Sequence, residues 1–120
     1  MSKILVIEDN EDIAGLIRDA FVHEGFEVLV CHDGYQGVEF NHRERPDVII
    51  LDLMMPAGGG LCVLEKIRLS TRTRPIPVVV LTAAKEPEVR QKAIDLGADA
   101  FLEKPYDFPR LLATVKGFLA

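Results

Sequence analysis

The sequence contains no surplus of basic residues and few cysteines. Its 14 lysines and arginines are outnumbered by 19 aspartates and glutamates, which gives a formal net charge of −5. A basic surface of the kind that binds nucleic acid is therefore not indicated. The two cysteines, Cys31 and Cys62, occur without any other sign of secretion, so we expect reduced, packed thiols rather than a disulfide.

Long hydrophobic runs are also missing. The apolar run at residues 4–7 is too short for the hydrophobic region of a signal peptide, and no stretch approaches the roughly 20 apolar residues of a membrane helix. The sequence predicts a soluble, cytoplasmic protein that makes no contact with a membrane. Its 120 residues, 48% of them hydrophobic, suffice for one domain over 1–120 with its own core.

The most informative stretch that is present is the run Val48-Ile49-Ile50-Leu51, which ends on Asp52. Consecutive apolar residues, most of them β-branched, indicate a strand that is buried on both faces, in the middle of a sheet covered by helices. A carboxylate at the mouth of such a strand loses solvation free energy unless something uses its charge.

Strand and helix patterns alternate along the whole chain. The helix after the first strand carries one apolar face with a period of 3.6 residues, and Gly25 ends it; this face consists of Ile13, Leu16, Ile17, Ala20 and Phe21. The predicted strands are 3–7, 26–31, 47–51, 78–81 and 100–102, and the later helices are 35–45, 61–69, 86–96 and 108–119. Five strands alternating with five helices predict an α/β fold, a doubly wound parallel sheet with right-handed crossovers.

Polar residues follow several of these strands, namely Glu8, Asp9, Asp52, Thr82 and Lys104. Open parallel sheets bind ligands outside the carboxyl ends of their strands, so we expect these side chains to face one crevice. Three close carboxylates repel one another, and Mg²⁺ relieves that repulsion. An ammonium group and a hydroxyl group suit the oxygens of a tetrahedral anion. This set of groups indicates phosphoryl transfer onto a carboxylate, with Asp52 as the nucleophile.

Four segments in order resemble the receiver domain of bacterial two-component response regulators (CheY-like). They are ILVIEDNE at 4–11, VIILDLMMP at 48–56, VLTA at 80–83 and GADAFLEKP at 97–105. The similarity covers essentially the whole chain, and its spacing is typical of the family. It implies a flavodoxin-like fold with five helices and the strand order 2-1-3-4-5.

The resemblance implies a role for each acidic residue of the site. Asp52 would be the phosphoacceptor, taking a phosphoryl group from the phosphohistidine of a sensor histidine kinase or a histidine phosphotransfer protein. Glu8, Asp9 and Asp52 would hold Mg²⁺, together with the backbone carbonyl of Met54. The chain would assist its own phosphorylation and dephosphorylation without being an enzyme in the ordinary sense.

The resemblance also implies a two-state switch. Lys104, whose peptide bond to Pro105 is cis in the family, would bind the phosphoryl group. Thr82 would move to bond that group, and Phe101 would turn inward. The change would reach the face of the fourth helix, fifth strand and fifth helix, where a downstream protein binds. The chain would act as a monomer or as a phosphorylation-dependent dimer, without direct contact with nucleic acid.

Two other functions remain open. A phosphohydrolase with an aspartyl nucleophile needs a second acid, expected at position 54, and Met54 there disfavours it. A degenerate receiver that acts only as an interaction module would lack part of the site, but Asp52, Lys104 and the acidic pair are all present. Gly59 departs from the family, which usually has an acidic residue there, so we expect a helix N-cap to be lost at a cost of about 0.2–0.5 kcal/mol.

Overall fold

Strands and helices alternate strictly in this protein. The computed structural model describes residues 2–53, 59–71, 73–83 and 86–119. The strands are β1 (Lys3–Ile7), β2 (Glu27–Cys31), β3 (Val48–Asp52), β4 (Val78–Thr82) and β5 (Ala100–Glu103), and the helices are α1 (Glu11–His23), α2 (Gly34–Glu44), α3 (Gly59–Leu69), α4 (Pro87–Asp95) and α5 (Phe108–Leu119). All strand pairs are parallel, in the order β2-β1-β3-β4-β5. The predicted doubly wound, flavodoxin-like sheet is therefore confirmed.

Strand β3 lies at the centre of the sheet, as its apolar sequence predicts. It pairs with β1 on one side and with β4 on the other, and all of its residues are buried. The side chains of a strand alternate between the two faces of the sheet. Since those of β3 are apolar along residues 48–51, both faces are covered by helices. The central position of β3 carries Asp52 to the carboxyl edge of the sheet.

The two faces of the sheet build two hydrophobic cores. One core packs apolar residues of β1, β3 and β4 against α2, α3 and α4, and includes Leu51, Val63 and Ala93. The other packs the opposite face against α1 and α5, and includes Phe21 and Leu111. This division places α1 and α5 on one side of the sheet and the other three helices on the opposite side.

The start of α3 packs tightly on the end of β3. The backbone N–H of Gly60 donates to the carbonyl of Leu53 at 3.0 Å. A Cβ atom on Gly60 would overlap the carbonyl oxygen of Asp52 and lie 2.6 Å from the Cα of Leu53. Gly59 has φ +65°, a conformation that residues with a Cβ rarely adopt. Helix α3 begins at Gly59 rather than at the predicted Leu61, and its first residue has a left-handed rather than a helical φ.

Two predictions about side-chain packing were wrong. Leu16, which the helical period assigned to the core, is 69% exposed, because the buried stripe of α1 passes instead through Ala14, Ile17 and Phe21. Cys31 is buried as expected, but Cys62 is exposed, since α3 turns its neighbours Val63 and Leu64 toward the sheet. Among the other elements with predicted bounds, β1 and α5 have those bounds, and the rest differ from them by one residue at one or both ends.

The amino end of the sheet is held by one arginine of α3. The Arg68 guanidinium donates to the carbonyls of Gly97, Arg74 and Ile76 and to the carboxylate of Asp99, at 2.7–3.0 Å. These bonds attach α3 to the segments that lead into β4 and β5. Among the residues described, no helix is both long and apolar enough to span a bilayer.

Candidate phosphoryl and metal site

Three carboxylates meet at the carboxyl edge of the sheet. Glu8 and Asp9 follow β1, Asp52 ends the adjacent β3, and one oxygen of each lies within 4.8 Å of the others. Glu8 and Asp52 are only 2% and 5% exposed, whereas Asp9 faces solvent. Since β1 and β3 are parallel neighbours, their ends bring residues distant in sequence to one place. The structure thus assembles the predicted acidic cluster.

The ammonium group of Lys104 joins the two buried carboxylates. Its Nζ donates to Oε1 of Glu8 at 2.8 Å and lies 3.6 Å from Oδ1 of Asp52. The Lys104 side chain is itself largely buried, with 19% exposed. A buried carboxylate without a compensating cation costs several kcal/mol, so this ion pair allows both acids to lie under the surface.

The protonation equilibria of this group follow from burial and from mutual interaction. The pKa of Glu8 is raised from 4.5 to about 7, mainly by burial and also by Asp52, while the hydrogen bond from Lys104 opposes the rise. Burial alone would lower the pKa of Lys104, but Glu8 and Asp52 outweigh that effect and raise it. Lys104 therefore keeps its charge, and Glu8 is the group that changes protonation near neutral pH.

The remaining predicted residues surround this cluster. Thr82 is fully buried at the end of β4, and its carbonyl accepts from the backbone N–H of Lys104 at 2.8 Å. The Lys104–Pro105 peptide bond is cis. Phe101 is partly exposed on β5, opposite Val80 of β4. Met54, predicted to offer a backbone carbonyl to the metal, lies outside the described residues.

Of three further contacts around the site, the sequence indicates only the first. Asn10 is the N-cap of α1, its side chain accepting from the backbone N–H of Ile13 at 3.0 Å. Nδ1 of His32 lies 3.2 Å from the carbonyl oxygen of Glu8. The Arg90 guanidinium lies over the Phe101 ring, 5.1 Å from its centroid. The sequence offers Glu8, Asp9 and Asn10 as candidate caps of the first helix, and the structure selects Asn10, whereas the other two contacts arise from the fold.

The donor set suits Mg²⁺ in character and in size. All three side chains offer carboxylate oxygen, the ligand type that Mg²⁺ prefers, and few protein ligands leave room for water and phosphate oxygens. A Mg–O distance of about 2.1 Å puts opposite ligand atoms about 4.2 Å apart, close to the spread of the three carboxylate oxygens, which lie within 4.8 Å of one another. Within the described part of the chain, no histidine or cysteine belongs to such a cluster.

Comparison with known proteins assigns the family. The model of the response regulator receiver domain matches residues 4–116, so the chain belongs to the receiver-domain family of response regulators. Domains of this family accept a phosphoryl group and are not enzymes of the usual kind. The cluster of Glu8, Asp9 and Asp52 fits such a phosphorylation site and a divalent metal site typical of the family.

Individual relatives agree with this assignment. The chain is 36% identical over 119 residues to the DNA-binding dual master transcriptional regulator RpaA of Synechocystis, covering 99% of the chain and 49% of that protein. It is 35% identical to the transcriptional regulatory protein CpxR of Klebsiella pneumoniae, again over 99% of the chain and 50% of that protein. The chain thus spans about half the length of these relatives.

Solved structures show the same fold at somewhat lower identity. A Francisella response regulator receiver domain superposes with a TM-score of 0.90 at 29% identity, covering 98% of this chain and 96% of that one. The chemotaxis protein CheY4 of Vibrio cholerae gives a TM-score of 0.92 at 29% identity, with 98% of both chains covered.

The pKa of Glu8 predicts a pH dependence of stability for the metal-free protein. The folded protein binds more protons than the unfolded chain between the ordinary value of 4.5 and about 7, so the free energy of unfolding should fall as pH rises through this window. Glu8→Gln removes that contribution. We expect the variant to gain about 1–3 kcal/mol over the wild type between about pH 5 and about pH 8, measured by denaturant unfolding in the presence of a chelator.

Glu103→Gln is the matched control, because Glu103 is an exposed glutamate at the same edge of the sheet; its stability should follow that of the wild type at every pH. Parallel stability curves for Glu8→Gln and the wild type would show that Glu8 does not titrate in this range.

Proposed function

We propose that this chain is a phosphoaccepting switch in which Asp52 receives the phosphoryl group. The observation that carries the proposal is the contact of one buried ammonium group with two buried carboxylates, Lys104 with Glu8 at 2.8 Å and with Asp52 at 3.6 Å. A purely structural ion pair would need one carboxylate. The second buried carboxylate is not needed to stabilise the fold. Together with Asp9 beside them, the two buried carboxylates supply a nucleophile and metal ligands.

The chemistry follows from the position of each group. An oxygen of Asp52 attacks phosphorus while the bond from phosphorus to the donor imidazole nitrogen breaks, and the imidazole keeps the electron pair. Lys104 keeps its proton and neutralises negative charge on the transferred group. Glu8 and Asp9, with Asp52 and the backbone carbonyl of Met54, would hold Mg²⁺. Bound there, Mg²⁺ would supply charge neutralisation and orientation for the phosphoryl oxygens.

The readout would pass through β4, which lies beside β3, and then through β5, which lies beside β4. Thr82, at the end of β4, would bond the phosphoryl group on Asp52, and Phe101 would turn toward the space that Thr82 leaves. The face of α4, β5 and α5 would then change shape and bind a downstream protein, or a second copy of the chain.

Phosphorylation by a small donor tests the acceptor assignment. We expect acetyl phosphate and Mg²⁺ to add one phosphoryl mass to the wild type and none to Asp52→Asn, because the amide is a far weaker nucleophile. Asp47→Asn, which alters an exposed aspartate at the amino end of β3, should label like the wild type. Intact-protein mass spectrometry provides the measurement.

Other outcomes of this experiment identify the alternatives. Labelling that persists in Asp52→Asn refutes the acceptor assignment. Multiple turnover of a phosphate ester indicates the hydrolase, and a wild type that takes no label with Mg²⁺ indicates the degenerate interaction module.

The donor would be a phosphohistidine protein that docks on α1 beside the site. Exposed Leu16 lies with Ile13 and Tyr106 along an apolar groove that reaches Lys104. Leu16→Glu should slow phosphotransfer from a histidine phosphotransfer protein or sensor kinase at least about tenfold. The docked partner would bury the Leu16 side chain, and the variant would place a charge in that apolar contact. Labelling by acetyl phosphate should be unchanged.

Val22→Glu is the control, because Val22 is an exposed apolar residue near the other end of α1. Equal rates of protein-to-protein transfer in Leu16→Glu and in the wild type would show that the donor protein docks on another surface.

A further inference from the structure

Arg90 and Phe101 form a contact on the surface of the α4–β5–α5 face. The guanidinium carbon of Arg90 lies 5.1 Å from the centroid of the Phe101 ring, within the range of a cation–π interaction. Both residues line a groove of about 400 Å³, so the ring points outward in this structure. Arg90 itself is exposed on α4.

The same ring is connected to the site through the sheet. Phe101 is opposite Val80, and Thr82 is opposite Glu103, so Phe101 and Thr82 are diagonal neighbours on the same face of the sheet. Phe101 is partly buried and packs against the hydrophobic core that contains Val80. Movement of the ring toward buried Thr82 takes it away from the surface, and therefore away from the Arg90 guanidinium.

We propose that Arg90 is a positioning residue that holds Phe101 in its outward orientation in the unphosphorylated protein. This inference rests on the proposed function, because it assigns the outward ring to the unphosphorylated state and the inward ring to the phosphorylated one. Arg90 is not among the residues assigned to the phosphoryl group or to the metal. It acts through Phe101, by stabilising only one of the two orientations.

The size of the effect follows from linkage. When a ligand binds only the inward state, its apparent affinity is its intrinsic affinity multiplied by the fraction of protein in that state. A partly exposed cation–π contact shifts a two-state equilibrium by about two- to fivefold. Loss of the contact should therefore tighten the binding of a phosphoryl mimic by about two- to fivefold.

A simple charge effect has the opposite sign. Removing a cation from the protein weakens the binding of an anion, so the loss of the Arg90 charge alone would raise the dissociation constant. Tighter binding in a variant without this charge therefore identifies the contact with the ring, and the direction of the change separates the two explanations.

The test uses beryllium fluoride, a phosphoryl mimic, with saturating Mg²⁺, and follows the Thr82 amide signal by NMR. Arg90→Met should bind the mimic about two- to fivefold more tightly than the wild type, and the Phe101 ring signals should shift before the mimic is added. Arg90→Lys, which keeps a cation able to lie over the ring, should restore affinity toward that of the wild type.

Arg43→Met is the matched control. The Arg43 guanidinium lies 4.4 Å from the Phe40 ring centroid, and both residues are on α2, away from the switch. This variant loses the same charge and the same type of contact, so its affinity for the mimic should equal that of the wild type. Tightening in both arginine variants would show that the effect does not depend on the contact with Phe101, and would overturn the proposal.

The background variant Phe101→Leu isolates the ring. Adding Arg90→Met to Phe101→Leu should leave the affinity unchanged, because no aromatic face remains for the cation. Tightening that persists there, or unchanged or weaker binding in Arg90→Met alone, overturns the role of Arg90 and leaves the phosphoacceptor intact. A wild type that does not bind the mimic at all overturns both this inference and the proposed function.

Discussion

The burial of two carboxylates beside a single ammonium group is the constraint on which this structure depends. Glu8 and Asp52 lie under the surface, where each charge is costly, and Lys104 reaches both. One cation does not fully compensate two buried anions. The pKa of Glu8 is raised to about 7, mainly by burial and also by the neighbouring Asp52. The metal-free site therefore favours any added positive charge, which is the property that a Mg²⁺-dependent phosphoacceptor needs.

The parallel sheet places the residues of the proposed switch on adjacent strands. Strand β3, which carries Asp52, lies next to β4, which carries Thr82, and β4 lies next to β5, which carries Phe101. The register places Thr82 and Phe101 on one face of the sheet. A change at the centre of the edge can therefore reach a surface groove through two adjacent strands, without any change in the strand pairing.

Sequence reasoning was sufficient for the sheet and for the residues at its edge. Runs of apolar residues that end on polar ones define both the strands and the position of Asp52, because parallel strands place all their carboxyl ends together. Helical periodicity was less informative at the margins of a buried stripe, and Leu16 was misassigned there. Contacts across elements, such as Arg90 over Phe101, have no local signal. Neither does Asn41, a buried α2 residue whose side-chain amide has no hydrogen-bond partner in the described structure, at a cost in stability.

Paramagnetic Mn²⁺ in place of Mg²⁺ tests the central claim most directly, since it broadens NMR signals only near the bound ion and accepts the same oxygen ligands. A site at the carboxyl edge should broaden the amide signals of Asp9, Asp52 and Lys104 at low Mn²⁺. The amides of Lys3 and Val78, at the amino end of strands about 13–16 Å long, should stay sharp, and excess Mg²⁺ should reverse the broadening. Broadening centred on the amino end, or none that Mg²⁺ displaces, would contradict the account.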